Sequence, residues 1–186
     1  MKKNLGAKTF MYPMPVLIIG SYDENNIPDA MNVAWGGISG ENQISICISE
    51  GHKTTKNILL KGEFTVSIAD VQNVIAADYV GIESANKETD KIKKAGWHAA
   101  KSEFVDAPVF DELPMALECS LISYNKESGI LVGKIVNICA DDKILDSDGK
   151  IDLSKFNPIT FDPANHKYLK IGEDVGNAFK DGMKLK

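Results

Sequence analysis

The spacing of apolar residues constrains this chain more than any other feature. Five short stretches, Val16–Tyr22, Ile44–Ser49, Phe64–Ala69, Ala116–Tyr124 and Ile130–Ala140, are rich in Ile and Val and are separated by Gly, Asn and Asp. β-Branched side chains favour an extended backbone, and Gly, Asn and Asp supply the turns between such runs. Leu117, Cys119 and Leu121, then Leu131, Gly133, Ile135 and Asn137, flank the polar segment Asn125–Gly129, the pattern of a long hairpin. Two long strands joined in this way predict a barrel or a sandwich. Helical periodicity is confined to Thr55–Lys61, Val71–Tyr79 and Lys87–Ala95, the last with Asp90 and Lys94 spaced i,i+4 on a solvated face. The expectation is a mainly β fold with short helices at its periphery.

At 186 residues, with 44% hydrophobic and 25% charged, the chain has the makeup of one globular domain spanning residues 1–186. No repeat and no linker divides it. The longest apolar run near its start, Val16–Gly20, falls far short of the roughly 20 residues of a membrane helix, so the reading is a cytoplasmic protein without a membrane partner. A net charge of −5 offers no field for a polyanion, and nucleic acid is not expected as a partner. All 21 basic residues are Lys, so a phosphate would be held by Lys, hydroxyl and backbone N–H groups without an Arg fork. Cys47, Cys119 and Cys139 are odd in number and lack C-x-x-C spacing, which argues against a disulfide framework or a zinc site and predicts reduced core thiols.

Most motifs that carry chemistry are missing. Asp146-Ser-Asp148-Gly149 fails as a calcium loop, because Gly149 at its sixth position puts Ile144 first and Lys155 twelfth; it reads as a turn. His52, His98 and His166 stand alone, and there is neither a G-x-S-x-G elbow nor a Gly-rich nucleotide loop. The stretch from Ser49 to Ile58 says more. A strand ends in a Gly turn that runs into a helix start, where unpaired N–H groups and a positive dipole end attract anions. Lys53, Thr54 and Thr55 would add an ammonium and two hydroxyls there; the same residues also suit an ordinary helix capped by Thr54 or Thr55. Ile44, Ile46 and Ile48 alternate with Ser45, Cys47 and Ser49, a face of small groups that suits a bulky ligand or solvent equally.

The ordered set Pro13-x-Pro15-Val-Leu-Ile-Ile-Gly20, Met31-Asn32-Val33-Ala34-Trp35-Gly36-Gly37, His52-Lys53-Thr54-x-x-Asn57-Ile58 and Gly62-Glu-Phe64-Thr-Val66 resembles the flavin reductase-like family, which includes flavoredoxin. The likeness continues through Asp78-Tyr-Val-Gly81, Asp90-Lys91, Ala107-Pro108, Leu117-Glu118-Cys119, the Leu145–Asp152 turn and Ile171-Gly172-Glu-x-Val-Gly176-x-Ala178-Phe179. The resemblance implies an FMN-binding split β-barrel, antiparallel and of Greek-key type, working as a homodimer with flavin near the interface. By motif, Asn32, Val33 and Ala34 would meet the flavin ring through backbone. Ser49 would lie near its tail, and His52, Lys53, Thr54 and Thr55 at its phosphate. Asn57 would bind the cofactor or pin the turn. Trp35, beside two glycines, suits an interface or a flavin edge, and Cys47 shares the face of small residues. No residue is assigned a catalytic role, since flavin carries the redox chemistry itself. The implied function is an oxidoreductase taking electrons from NAD(P)H or a reduced protein and passing them to a flavin, a small acceptor or a protein. The alternatives are a flavoredoxin-like carrier without NAD(P)H activity and a non-catalytic flavin-binding module.

Overall fold

A computed structural model describes residues 1–186. In chain order the elements are β1 (Met14–Pro15), β2 (Leu17–Tyr22), β3 (Pro28–Val33), β4 (Gly36–Gly40), β5 (Gln43–Cys47), α1 (Lys53–Lys61), β6 (Glu63–Ile68), α2 (Val74–Ile82), α3 (Lys91–Lys94), β7 (Ala99–Lys101), β8 (Pro108–Phe110), β9 (Met115–Asn125), β10 (Ile130–Ala140), α4 (Leu153–Phe156), β11 (Ile159–Asp162) and β12 (Lys167–Lys170). The expected long hairpin is β9–β10, closed by a turn in which the Asn125 carboxamide oxygen accepts from the Glu127 and Ser128 amides.

Seven strands form one antiparallel sheet in the order β3-β2-β6-β9-β10-β5-β4. Its two edges, β3 and β4, are consecutive in the chain and separated only by Ala34 and Trp35. Three Cα–Cα steps span at most about 11 Å, whereas the edges of a flat seven-stranded sheet lie about 29 Å apart. Connectivity therefore curls the sheet into a barrel whose split lies at Ala34–Trp35. The barrel is filled by Leu17, Ile19, Ile46, Phe64, Val66 and Leu131, all buried.

Strand β2 is buried along its whole length because both its faces are covered. Leu17 and Ile19 point into the barrel, while Val16 and Ile18 join a second core with Ala77 and Val80 of α2, Trp97 and Phe110. That second core seats α2 and α3 beside the barrel. β1, β11 and β12 form a separate three-stranded sheet, and β7 and β8 a two-stranded one.

Several expectations are corrected. Gly36, Gly37 and Gly40, a glycine-rich stretch that by itself suggests a turn, belong to strand β4. The helix expected over Lys87–Ala95 shrinks to α3, and Lys94 pairs with Glu88 instead of Asp90. All three cysteines are free thiols, but only Cys119 is buried; Cys47 and Cys139 are half-buried. Burial, with Glu118 nearby, pushes the Cys119 thiol up to about 12. The Asp146–Gly149 turn is as expected, its Asp146 carboxylate accepting from the Asp148 and Lys150 amides.

Candidate functional site

The chain from β5 into α1 builds the first half of the site. After Cys47, Ile48 leads to Ser49, whose carbonyl oxygen accepts from the His52 amide at 3.2 Å and from Thr55 Oγ1 at 2.7 Å. The N-cap of α1 is therefore His52, with φ −68° and ψ 141°, and its side chain makes no capping bond. Thr54 and Thr55, expected as caps, lie inside the helix and are buried. The backbone N–H groups of Lys53, Thr54 and Thr55 have no partner. Three free amides at the positive end of a helix dipole are the chemistry of an anion site.

The threonine hydroxyls face inward. Thr54 Oγ1 donates to Asp29 Oδ2 at 2.5 Å, and the other Asp29 oxygen is 3.4 Å from Lys91 Nζ, both side chains of that ion pair being 4% exposed. Burial pulls Lys91 below its usual basicity, against the opposing pull of Asp29. Asn57 Nδ2 donates to Ser21 Oγ at 3.1 Å and fastens α1 to β2. Lys53 lies 3.3 Å from Asp23 and 3.4 Å from Glu24. Partial burial works against its charge, but these two carboxylates outweigh burial and raise its pKa. A pocket of about 180 Å³ lies against this turn, walled by Asp29, Met31, His52, Lys53, Thr54, Lys91 and the end of α2.

The second half of the site is apolar. A cleft of about 490 Å³ is lined by Trp35 and Gly36 at the barrel split, by Ser45, Ile46 and Cys47 of β5, by Met14 and Ile130, and by the arm Lys8–Met11. Ile44, Ile46 and Ile48 face the barrel core, so the small residues Ser45 and Cys47 are left to the cleft. The Trp35 carbonyl accepts from the Cys47 amide at 2.8 Å, while the indole stays 54% exposed. The arm is held by Tyr12, whose hydroxyl donates to Asp162 Oδ1 at 2.5 Å. That bond, with further donors from Asn165 and Ala164, lowers the Asp162 carboxyl to about 2.

Of the residues singled out by sequence, Ser49, His52, Lys53, Thr54 and Thr55 cluster at the α1 start, and Trp35 and Cys47 border the cleft. Val33 is buried in the barrel core, and Asn32 Nδ2 donates to Ala77 O of α2 at 2.9 Å. Sequence reasoning missed Asp29 and Lys91, which sit 62 positions apart and show no shared pattern. It also missed the arm, whose apolar Phe10 and Met11 lie outside every periodic segment. No group of His, Cys, Asp and Glu is placed to hold a metal ion, and no helix is long and apolar enough to cross a membrane.

Comparison with known proteins places this geometry. The flavoredoxin of Desulfovibrio vulgaris (Miyazaki F) is similar in structure with a TM-score of 0.93 and 36% identity, over 98% of this chain and 100% of that one. The flavoredoxin of Methanosarcina acetivorans aligns over 100% of both chains with a TM-score of 0.90 and 24% identity. A Shewanella frigidimarina protein described as having a split barrel domain aligns over 89% of this chain and 86% of its own, with a TM-score of 0.77 and 18% identity, and supports the fold. The family model for the flavin reductase like domain matches residues 9–163. That match takes in the arm from Thr9, the barrel and the α1 turn, and the chain belongs to the flavin reductase-like domain family.

Proposed function

We propose that this chain is an FMN-dependent electron-transfer flavoprotein, working as a homodimer and as one domain over residues 1–186. The observation that carries the reading is the pairing of three unpartnered amides at the α1 start with an apolar cleft that begins at Cys47, six residues upstream of Lys53. This donor set fits FMN, which needs a seat for a dianionic phosphate and a flat apolar slot for its ring. The Lys53, Thr54 and Thr55 amides hold the phosphate, with the Lys53 ammonium and His52 beside it. Thr54, Thr55 and Asn57 act mainly by fixing the turn, through Asp29, Ser49 and Ser21. Trp35, Cys47 and the backbone of Asn32, Val33 and Ala34 border the ring. FMN, when bound, supplies the one- and two-electron chemistry. The protein excludes water and orients the ring, and no acid–base side chain is assigned.

The homodimer is supported by the outer face of the barrel, where Trp35 and Ile38, with Val136 and Ile138 two apart on β10, are exposed. A reducing, cytoplasmic setting agrees with three free thiols. The donor is NAD(P)H or a reduced electron-transfer protein, and the acceptor a flavin, a small molecule or a protein. Full-length likeness to a flavoredoxin at 36% identity favours the carrier form, reduced by a protein. Stopped-flow bleaching of the flavin absorbance tests the choice. Rapid bleaching by NADH or NADPH assigns a nicotinamide-linked reductase; bleaching by reduced ferredoxin alone assigns the carrier. A purified protein that neither holds nor takes up FMN contradicts the proposal.

A further inference from the structure

The segment after β12 is shaped but unpartnered. Its amide at Ile171 donates to Pro158 O, and from Gly172 onward every hydrogen bond stays within the segment. The Asp181 carboxylate accepts from the Asn177 amide at 2.7 Å, the Asp181 amide returns to Asn177 O at 3.0 Å, and the Met183 amide donates to Lys180 O at 3.0 Å. A Cβ on Gly176 would lie 2.8 Å from Asp181 Oδ2, so glycine lets that carboxylate sit close against the turn. Phe179 sits within it at φ 62°, an uncommon conformation for an aromatic residue. Val175, Phe179 and Leu185 are 102%, 101% and 94% exposed. A flexible tail is polar and carries no such turn; this segment displays an aromatic side chain on a built knuckle.

We infer that the segment is an arm exchanged between two copies, and that the partner's Phe179 closes over the apolar cleft at Trp35, Cys47 and Ile130. The inference rests on the homodimer reading above and adds that the flavin site is incomplete in one chain. The cleft offers a matching surface, since Lys8 is its only charged residue and Trp35 and Ile130 are 54% and 45% exposed at its rim. A stable dimer needs about 800 Å² from each partner. Burying Phe179 and the exposed half of Trp35 gives about 250–400 Å² of that, and two-fold symmetry lets every copy give one arm and receive one. Ile38, Val136 and Ile138 extend the apolar area on the same barrel.

Benzoylphenylalanine in place of Phe179 in the full chain tests this by photocrosslinking, with and without added FMN. The expected product is a covalent dimer at twice the 20.3 kDa chain mass, joined to the peptide carrying Trp35 or the one carrying Ile130. A cross-link within one chain, or to any other peptide, overturns the inference. So does the absence of a cross-link in a protein that light scattering shows to be dimeric; that result leaves the dimer reading standing, whereas a 20.3 kDa particle sinks both. The cross-link needs no flavin, so a failure to bind FMN is read separately. Phe179→Ala is expected to weaken dimerisation at least tenfold, and unchanged association contradicts the exchange.

Discussion

The two halves of the site are built in opposite ways. At the α1 start, Thr54, Thr55, Asn57 and Asp29 are buried and hydrogen-bonded to other elements, and the backbone amides of the first turn are left free. In the cleft, the walls are apolar side chains, and Trp35 stands half in solvent. In the proposed dimer the anion end is complete within one chain, and the ring end is closed by the partner. Substitutions at the first should act on folding and at the second on assembly and flavin environment.

The comparison breaks most visibly at Lys91. Lys91→Met leaves the buried Asp29 carboxylate without its counter-charge and should cost about 3–5 kcal/mol. Urea denaturation reads this, and the double variant Lys91→Met with Asp29→Leu should recover much of the loss. A Lys91→Met protein of wild-type stability would mean that the pair does not hold the turn. Thr54→Val keeps the shape but removes the hydroxyl that Asp29 accepts, at about 1–3 kcal/mol. Trp35→Ala should change stability by no more than about 0.5 kcal/mol, yet shift the dimer equilibrium and the flavin spectrum; a large loss of stability would make Trp35 a core residue.

The smallest effect concerns the arm and pH. Asp162 has a folded pKa of about 2, below its ordinary 3.8, because Tyr12 donates to its carboxylate. A carboxyl depressed by folding contributes stability above about 3.8 that is lost as pH falls toward 2. Proteolysis of the arm Lys8–Met11 should therefore be slow at neutral pH and faster between pH 4 and 2 on this scale. Tyr12→Phe should loosen the arm at neutral pH as well. Equal protease sensitivity in wild type and Tyr12→Phe would show that another contact holds it.

How much was legible in the sequence depended on whether one segment carried its own signal. β10 falls over Ile130–Ala140 as expected, because its branched residues and flanking turn are local evidence. β4 was hidden, since Gly36 lacks the side chain that marks a strand; a Cβ there would meet Ile46 Cγ2 at 2.7 Å, a tertiary reason for glycine. β3, with Pro28, Asp29 and Asn32, has weak strand preference and is held extended by pairing with β2. At the site, the strand–turn–helix order of Ser49–Asn57 was readable, but the inward turn of Thr54 and Thr55 was not. Their partners Asp29 and Ser49 are set by the packing of α1 on the barrel.

The central claim is that the free amides of the α1 first turn hold the FMN phosphate, and proline at position 53 tests it most directly. Proline is tolerated at the first position of a helix, and His52 already has the extended backbone that a following proline prefers. Lys53→Ala removes only the ammonium; Lys53→Pro removes the ammonium and one unpaired N–H. A charge-assisted hydrogen bond is worth about 1.5–3 kcal/mol, so FMN should bind Lys53→Pro about ten- to a hundredfold more weakly than Lys53→Ala. Riboflavin, which has no phosphate, should bind the two variants equally. Equal FMN affinity in the two folded variants, or a matching fall for riboflavin, would contradict the assignment of the phosphate to this turn.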